Sequence, residues 1–371
     1  MKTEFHLGMA VPEPDDATSF MRAWGPLGQM AKQDRRLKLV PPPRHPNGAH
    51  DYNWAWVAGL DAILLQRPWS KQQGQLLVLA NMLGIPVWID WDDDLATVRP
   101  SNPRYNLYAE PDLPKRLEWM VSLAQVVTVT TEELAERRGK QKVTVLPNAQ
   151  MWPASNEPRA RRVVWRGGGN HEEDVLSVLD QIEAVARMPQ FSKWEWHFLG
   201  EPPWQVRERL EFLGSDRLSV GFWADPFTYM RTLHGLAPWC VIVPMVDNAF
   251  NRCRSNLPIL EATSAGAVAV AKDLPEYVAA GAWHYRDPAG FGTVLRGALD
   301  RFSEEICPLV LAARERQQIY ELESLNEQRW DILRELGFPA TISLGCRPVA
   351  ANGAGAALGG PGDAVGGTPG A

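Results

Sequence analysis

At 371 residues the chain is too long for one ordinary hydrophobic core, and two domains are expected. Its formal net charge of −6 excludes a global basic field for nucleic acid. Four scattered cysteines (Cys240, Cys253, Cys307 and Cys346), with no CxxC pair, exclude a disulfide framework and a cysteine-built zinc site, so reduced thiols are expected.

In chain order, the first half offers the apolar runs "FHLGMAV", "RLKLV", "AILLQ", "IPVWID", "VVTVT" and "KVTVLPN" as strands. Amphipathic stretches such as "QQGQLLVLANMLG" and "PKRLEWMVSLA" fall between them as helices. This rhythm predicts a first Rossmann-like domain over 1–150. The polar, proline-containing "QMWPASNEPRA" then reads as a linker at 151–161. A second series, "RVVWRG", "WEWHFLG", "RLSVGF", "WCVIVPM", "AVAVAK" and "WHYRD", predicts a second domain over 162–306. Helical patterns alone occupy 307–345, and the Gly/Ala/Pro-rich stretch 346–371 is expected to be a disordered tail. The fold class is therefore α/β, with two doubly wound domains whose strand ends face each other across a cleft. No run of about 18 apolar residues occurs, and "MKTEFHLGMAVPEPDD" lacks the features of a signal peptide, so a soluble cytoplasmic protein without a membrane span is expected. Most of the 16 tryptophans should pack in cores, although some could stack on sugars or bases.

Three segments carry chemistry. "IDWDDDL" sets Asp90, Asp92, Asp93 and Asp94 directly after a predicted strand, where they could hold a metal, orient sugar hydroxyls or cap a turn. "VVWRGGGNHEEDV" follows a strand with a glycine-rich loop that carries Arg166, Gly167, Gly168 and His171. "FNRCRSNLPILEATSAGAVAVAKDLPEY" brings Arg252 and Arg254 to a helix that starts near Asn256, with Pro258 in its first turn. Free amides, a helix dipole and two guanidiniums suit a diphosphate, and Glu261 one turn further in suits vicinal ribose hydroxyls.

These segments resemble the retaining glycosyltransferases of the GT-B fold, in particular family four and its compact bacterial and phage-type versions, in which a loop and helix of the form "FN..KSN.K.LEA...G.PVVAS...PEY" binds the donor's nucleoside diphosphate. Arg254-Ser255-Asn256 stands at the Lys-Ser position, Glu261 at the ribose-binding glutamate and Gly266 at the glycine before the next strand. Cys253 departs from the pattern, because many members carry an acidic residue there. "SFMRAWGPL", with Arg22, and "DAILLQRP", "VTVTTEELAERR" and "KVTVLPNAQ" extend the resemblance along the first half. It implies a nucleotide-sugar donor, a hydroxyl acceptor (a DNA base, a protein or a glycan) and transfer with retention. Arg166, Arg254 and Asp92 would be catalytic; Gly167, Gly168, His171, Arg252, Ser255, Asn256 and Glu261 would bind the donor; Asp90, Asp93, Asp94 and Arg22 would face the acceptor.

The "DWD" at 90–92 also fits the metal-binding Asp-x-Asp of GT-A enzymes literally. That class puts the motif on its nucleotide-binding domain, however, and here the acidic cluster and the diphosphate features fall in different halves. No metal and no cofactor are therefore expected. Alternatives are a phage-type DNA glycosyltransferase acting on a hydroxymethylated base, for which the basic stretch with Arg35, Arg36, Lys38 and Arg44 would serve as a track, and a non-catalytic sugar-nucleotide or glycan-binding protein. In a phage-encoded case the location would be the host cytoplasm.

Overall fold

Runs such as "AILLQ" are apolar throughout rather than alternating, which is the pattern of parallel strands buried on both faces, and all five of its residues are buried. In the computed structural model, which describes residues 3–139, 143–221 and 224–339, twelve strands form two parallel sheets. The expected disordered tail lies outside the described residues.

The first sheet contains β1 (Phe5–Ala10), β2 (Leu37–Val40), β3 (Ala62–Gln66), β4 (Val87–Trp91), β5 (Val126–Val129) and β6 (Thr144–Val145), in the order β2-β1-β3-β4-β5-β6. The second contains β7 (Ala160–Gly167), β8 (Glu195–Gly200), β9 (Leu218–Val220), β10 (Pro238–Val243), β11 (Val268–Lys272) and β12 (Trp283–Tyr285), in the order β12-β11-β10-β7-β8-β9. From β7 the chain winds outward through β8 and β9, crosses back, and winds the other way from β10. This is the doubly wound Rossmann order, with its switch point between β7 and β10. In the first sheet the direction reverses between β1 and β3.

Local chemistry sets the helices between the strands. Ser70 and Gln73 form a capping box at the start of Lys71–Met82, and Thr131 caps Glu132–Arg138 through Leu134 N at 3.2 Å. Apolar clusters cover both faces of each sheet; Trp88, Trp91, Trp165, Trp196 and Trp239 are all but fully buried, in line with core packing. The stretch expected as trailing C-terminal helices divides its allegiance. Val310 of Pro308–Arg316 joins a cluster of the second sheet, whereas Leu325, Ile332 and Leu333 of Leu322–Glu335 pack with Phe5, Leu7 and Met30 of the first. The chain thus crosses between the sheets twice, and Gln150 N donating to Tyr320 O at 2.7 Å ties the two crossings together.

Candidate active site

The carboxyl ends of strands from both sheets converge on one cavity of about 590 Å3. Asp16 and Arg22 reach it after β1, Arg67 after β3, and Asp92 and Asp93 after β4. From the other side come Gly167, Gly168 and His171 after β7, Glu201 after β8, and Arg254 and Ser255 after β10. Its place on the second sheet is the switch point, where open α/β sheets bind ligands. Close backbone approach forms the floor. Gly200 has φ +102°, and a Cβ there would lie 2.1 Å from Gly167 O, so no other residue fits. At Gly167 a Cβ would come within 2.6 Å of the Trp165 ring, so this glycine lets the loop fold down on a buried tryptophan.

Two guanidiniums dominate the side of the cavity formed by the second sheet. Arg166, at the end of β7, pairs with Glu261 Oε2 through Nη2 at 2.7 Å, and Tyr229 Oη donates to the same oxygen at 3.1 Å. The Arg166 Nε is buried and has no hydrogen-bond partner among the described residues. Burial works against its charge, but Glu261 and the nearby tyrosines outweigh it and hold Arg166 firmly protonated. Arg254 is held at both ends of its fork: Nη1 lies 3.1 Å from each oxygen of Asp93, and Nη2 lies 2.8 Å from His171 Nε2. Next to it starts the helix Leu257–Ser264, with Asn256 as N-cap making no side-chain capping bond and Pro258 in the first turn. An uncapped helix start beside two half-buried cations has the chemistry that suits an anion. Ser255 Oγ is held by Asn148 Nδ2 at 2.8 Å, a contact from the first half of the chain.

Each aspartate of the acidic stretch has its own arginine. Asp90, 3% exposed, takes both arms of Arg22, at 3.0 and 2.5 Å, and the Thr128 hydroxyl at 2.6 Å. Asp92 accepts a two-pronged contact from Arg67. Asp93 faces Arg254. Asp94, 2% exposed, takes Arg138 at 2.5 Å and caps the turn at Leu95–Thr97. Burial would raise the Asp92 carboxyl, but Arg67, Arg22 and Arg254 together keep it below the usual carboxylate range. Arg67 achieves its grip with φ at +49°, a conformation that costs energy for a non-glycine residue and clusters at functional sites.

Of the residues singled out from the sequence, the cavity wall gathers Arg22, Asp92, Asp93, Arg166, Gly167, Gly168, His171, Arg254, Ser255 and Glu261. Asp90 and Asp94 stand behind the wall as buried ion-pair members, and Asn256 is buried at the helix start. Arg252 is exposed and pairs with Asp247 at 2.7 Å, away from the cavity. Cys253 faces the other way as well: it is fully buried in the apolar cluster that holds Trp91, Leu95 and Leu134, and burial pushes its thiol up to about 12. The three described cysteines are all free and buried. Sequence reading passed over Arg67, Tyr229 and Asp174. The "LLQRP" run, an arginine just past a strand end, was the available signal for the first; the other two sit in helices with nothing local to mark them.

No protein-family profile matches the sequence, and no curated protein does. Solved structures do match the fold. A sucrose-phosphate synthase from Thermosynechococcus elongatus aligns with a TM-score of 0.59 at 12% identity, over 90% of this chain and 99% of that one. An alpha,alpha-trehalose-phosphate synthase (UDP-forming) from Burkholderia vietnamiensis aligns at 0.58 and 10%, over 90% and 97%. A putative UDP-N-acetylglucosamine 2-epimerase from Listeria monocytogenes aligns at 0.55 and 10%, over 90% and 96%. At such identities the likeness is one of fold. The chain has the GT-B architecture that its sequence led one to expect, two Rossmann-like sheets with a cavity between their strand ends.

Proposed function

We propose that this protein is a metal-independent glycosyltransferase that moves a sugar from a nucleoside-diphosphate sugar to a hydroxyl acceptor with retention. The observation that carries the reading is the grouping of two half-buried guanidiniums, Arg166 and Arg254, with an uncapped helix start and Glu261 around one cavity at a sheet switch point. Departure of a diphosphate from a sugar builds negative charge on the leaving oxygens and positive charge on the ring. Donors that are already oriented lower that barrier without reorganising. Arg166, Arg254 and the amides near Ser255 and Asn256 would take the leaving charge. Glu261, preset by Arg166 and Tyr229, would hold the ribose, and the departing phosphate would take the acceptor's proton.

Asp92 and Asp93 supply the carboxylates opposite, suited to acceptor hydroxyls. All four aspartates of the stretch already face an arginine, which supports a site that works without a divalent cation. The acceptor we favour is a glycan or protein hydroxyl rather than a DNA base, because three cations of the basic track are occupied: Arg36 by Asp34, Lys38 by Glu4 and Arg44 by Glu13.

Calorimetry with UDP and GDP, followed by turnover of UDP- and GDP-sugars, tests the reading. Binding and slow donor hydrolysis are expected to survive EDTA. Loss on chelation that Mn2+ restores would return a metal to the "DWD" stretch, and binding without turnover would make the protein a sugar-nucleotide binder. Inversion at C2 of a UDP-sugar without acceptor, seen by NMR, would instead favour the epimerase chemistry named for the Listeria structure.

A further inference from the structure

Asp174 belongs to the short helix Glu172–Leu176 and is 1% exposed. Its Oδ1 accepts from Val246 N at 2.9 Å and from Asn251 Nδ2 at 2.8 Å. Its Oδ2 lies 3.0 Å from His171 Nδ1, and His171 Nε2 lies 2.8 Å from Arg254 Nη2. The direction of this chain follows from chemistry alone. A guanidinium only donates, so His171 Nε2 accepts; the ring proton therefore sits on Nδ1 and is donated to Asp174. Burial and the neighbouring Arg254 and Arg166 keep His171 below the ordinary histidine value, hence neutral, in keeping with that direction. Arg99 Nη2 also lies 3.6 Å from Asp174 Oδ1, and the same guanidinium pairs with the adjacent Glu173.

We propose that Asp174 is a positioning residue of the donor site: it fixes His171 in the Nδ1-protonated tautomer, and that tautomer aims Arg254 into the cavity. The inference rests on the reading of Arg254 as a diphosphate ligand and deepens it by saying what holds the guanidinium in place. The carboxylate never touches the donor. Beyond the two bonds that Oδ1 accepts, its contribution to the site is polarity, because an imidazole with the proton on the other nitrogen would present a donor to a donor.

Asp174→Asn isolates that contribution. The two donors on Oδ1 claim the amide oxygen, so the NH2 group turns toward His171 Nδ1, which must then accept. The imidazole proton moves to Nε2, opposite Arg254 Nη2, and the fork is repelled. Asp174→Ala removes the carboxylate without imposing either tautomer. Nitrogen-15 NMR of the histidine rings is expected to report His171 protonated on Nδ1 in the wild type and on Nε2 in Asp174→Asn. UDP and GDP affinity should fall on the order of tenfold in Asp174→Asn, the loss of one hydrogen bond to a charged group, and by less in Asp174→Ala. A merely structural role gives the opposite ranking, since the near-isosteric Asn disturbs packing least. His171→Ala removes the acceptor for Arg254, and His171→Gln, which offers an amide oxygen to Arg254 and an N–H to Asp174, should recover part of the affinity that His171→Ala loses.

Unchanged nucleotide affinity in Asp174→Asn, or a wild-type His171 protonated on Nε2, overturns the proposal while leaving the donor site standing. A wild type that binds neither UDP nor GDP removes the donor site itself, and the role of Asp174 in it. Should Asp174→Asn not fold, the wild-type tautomer and the His171 pair still decide: an Nε2 proton, or no recovery of affinity in His171→Gln over His171→Ala, sinks it.

Discussion

Arg254 is where the two halves of the chain meet at single-residue scale. It lies 161 positions from Asp93 in sequence, yet its fork spans the distance between that aspartate and His171. Arg254→Ala is expected to weaken UDP or GDP binding by about 1.5 to 3 kcal/mol, the range for a hydrogen bond to a charged group, with calorimetry as the check. Arg254→Lys should recover only part of this, because an ammonium is a point charge and cannot keep two partners and a phosphate in one plane. Wild-type affinity in both variants would locate the nucleotide elsewhere. A second arginine argues from the opposite side. Arg329 is fully buried in the helix Leu322–Glu335, its Nε and Nη2 have no hydrogen-bond partner among the described residues, and burial beside Arg22 pushes it down to about 9. A buried charge so thinly compensated costs stability. Arg329→Met is expected to raise the urea midpoint, by a gain of about 1 to 4 kcal/mol, and a lower midpoint would mean that the guanidinium is satisfied in solution.

At the scale of elements, every strand expected from the sequence is present, and several coincide closely, as "AILLQ" does with β3. Continuous apolar runs between turn signals carry that information locally. The exception in length is "KVTVLPN", which yields only the two-residue β6 before Pro147, a residue that cannot donate to a ladder. The loops were legible as chemistry but not as partnerships. Register explains why: β3 and β4 pair with Gln66 opposite Asp90, and this brings Arg67, one step past the ladder, within reach of Asp92, two steps past it. No local pattern in "LLQRP" or "IDWDDDL" reveals it without the strand order. For the same reason two of the four aspartates turned out to be buried ion-pair members, and Cys253 turned out to be a core residue of the facing sheet. The helix Leu322–Glu335 is a further long-range element. Leu333 is fully buried against the first sheet, so Leu333→Ala should cost about 2 to 5 kcal/mol through transfer and cavity terms. The loss should appear as a lower midpoint of cooperative unfolding; a change below about 1 kcal/mol would mean that the helix docks only loosely.

For the whole molecule, the seam between the two sheets combines apolar contacts, such as Phe20 against Phe227 and Cys253 in the first sheet's core, with polar ones. Arg99 reaches Glu173 at 2.7 Å, Ser101 Oγ donates to Glu173 at 2.8 Å, and Asn148 and Asp93 add the contacts already described. Polar interfaces within a chain are the ones that open and close, and the polar part of this seam borders the cavity. The buried His171 on the cavity wall shares a property with three others. His50, His171, His197 and His234 are all held below the ordinary value of 6.5, in each case mainly by burial. The sign of the consequence follows from proton counting. Below the ordinary value the unfolded chain takes up protons that the folded chain refuses, so acidification favours unfolding; each group's loss begins as pH falls through about 6.5 and stops growing once its folded value is passed. The lowered carboxylates, among them Asp92 and Asp174, keep their stabilising charge until far lower pH, so they do not mask the effect. Urea unfolding at pH 7.5 and 5.5 should therefore show lower stability at the acid end, with a slope of up to about 1.4 kcal/mol per histidine per pH unit and proton uptake on unfolding. His171→Gln should flatten that slope, because glutamine does not titrate. A stability that stays level or rises between pH 7.5 and 5.5 would mean that these histidines are charged in the folded protein, and it would also remove the neutral imidazole on which Arg254 depends.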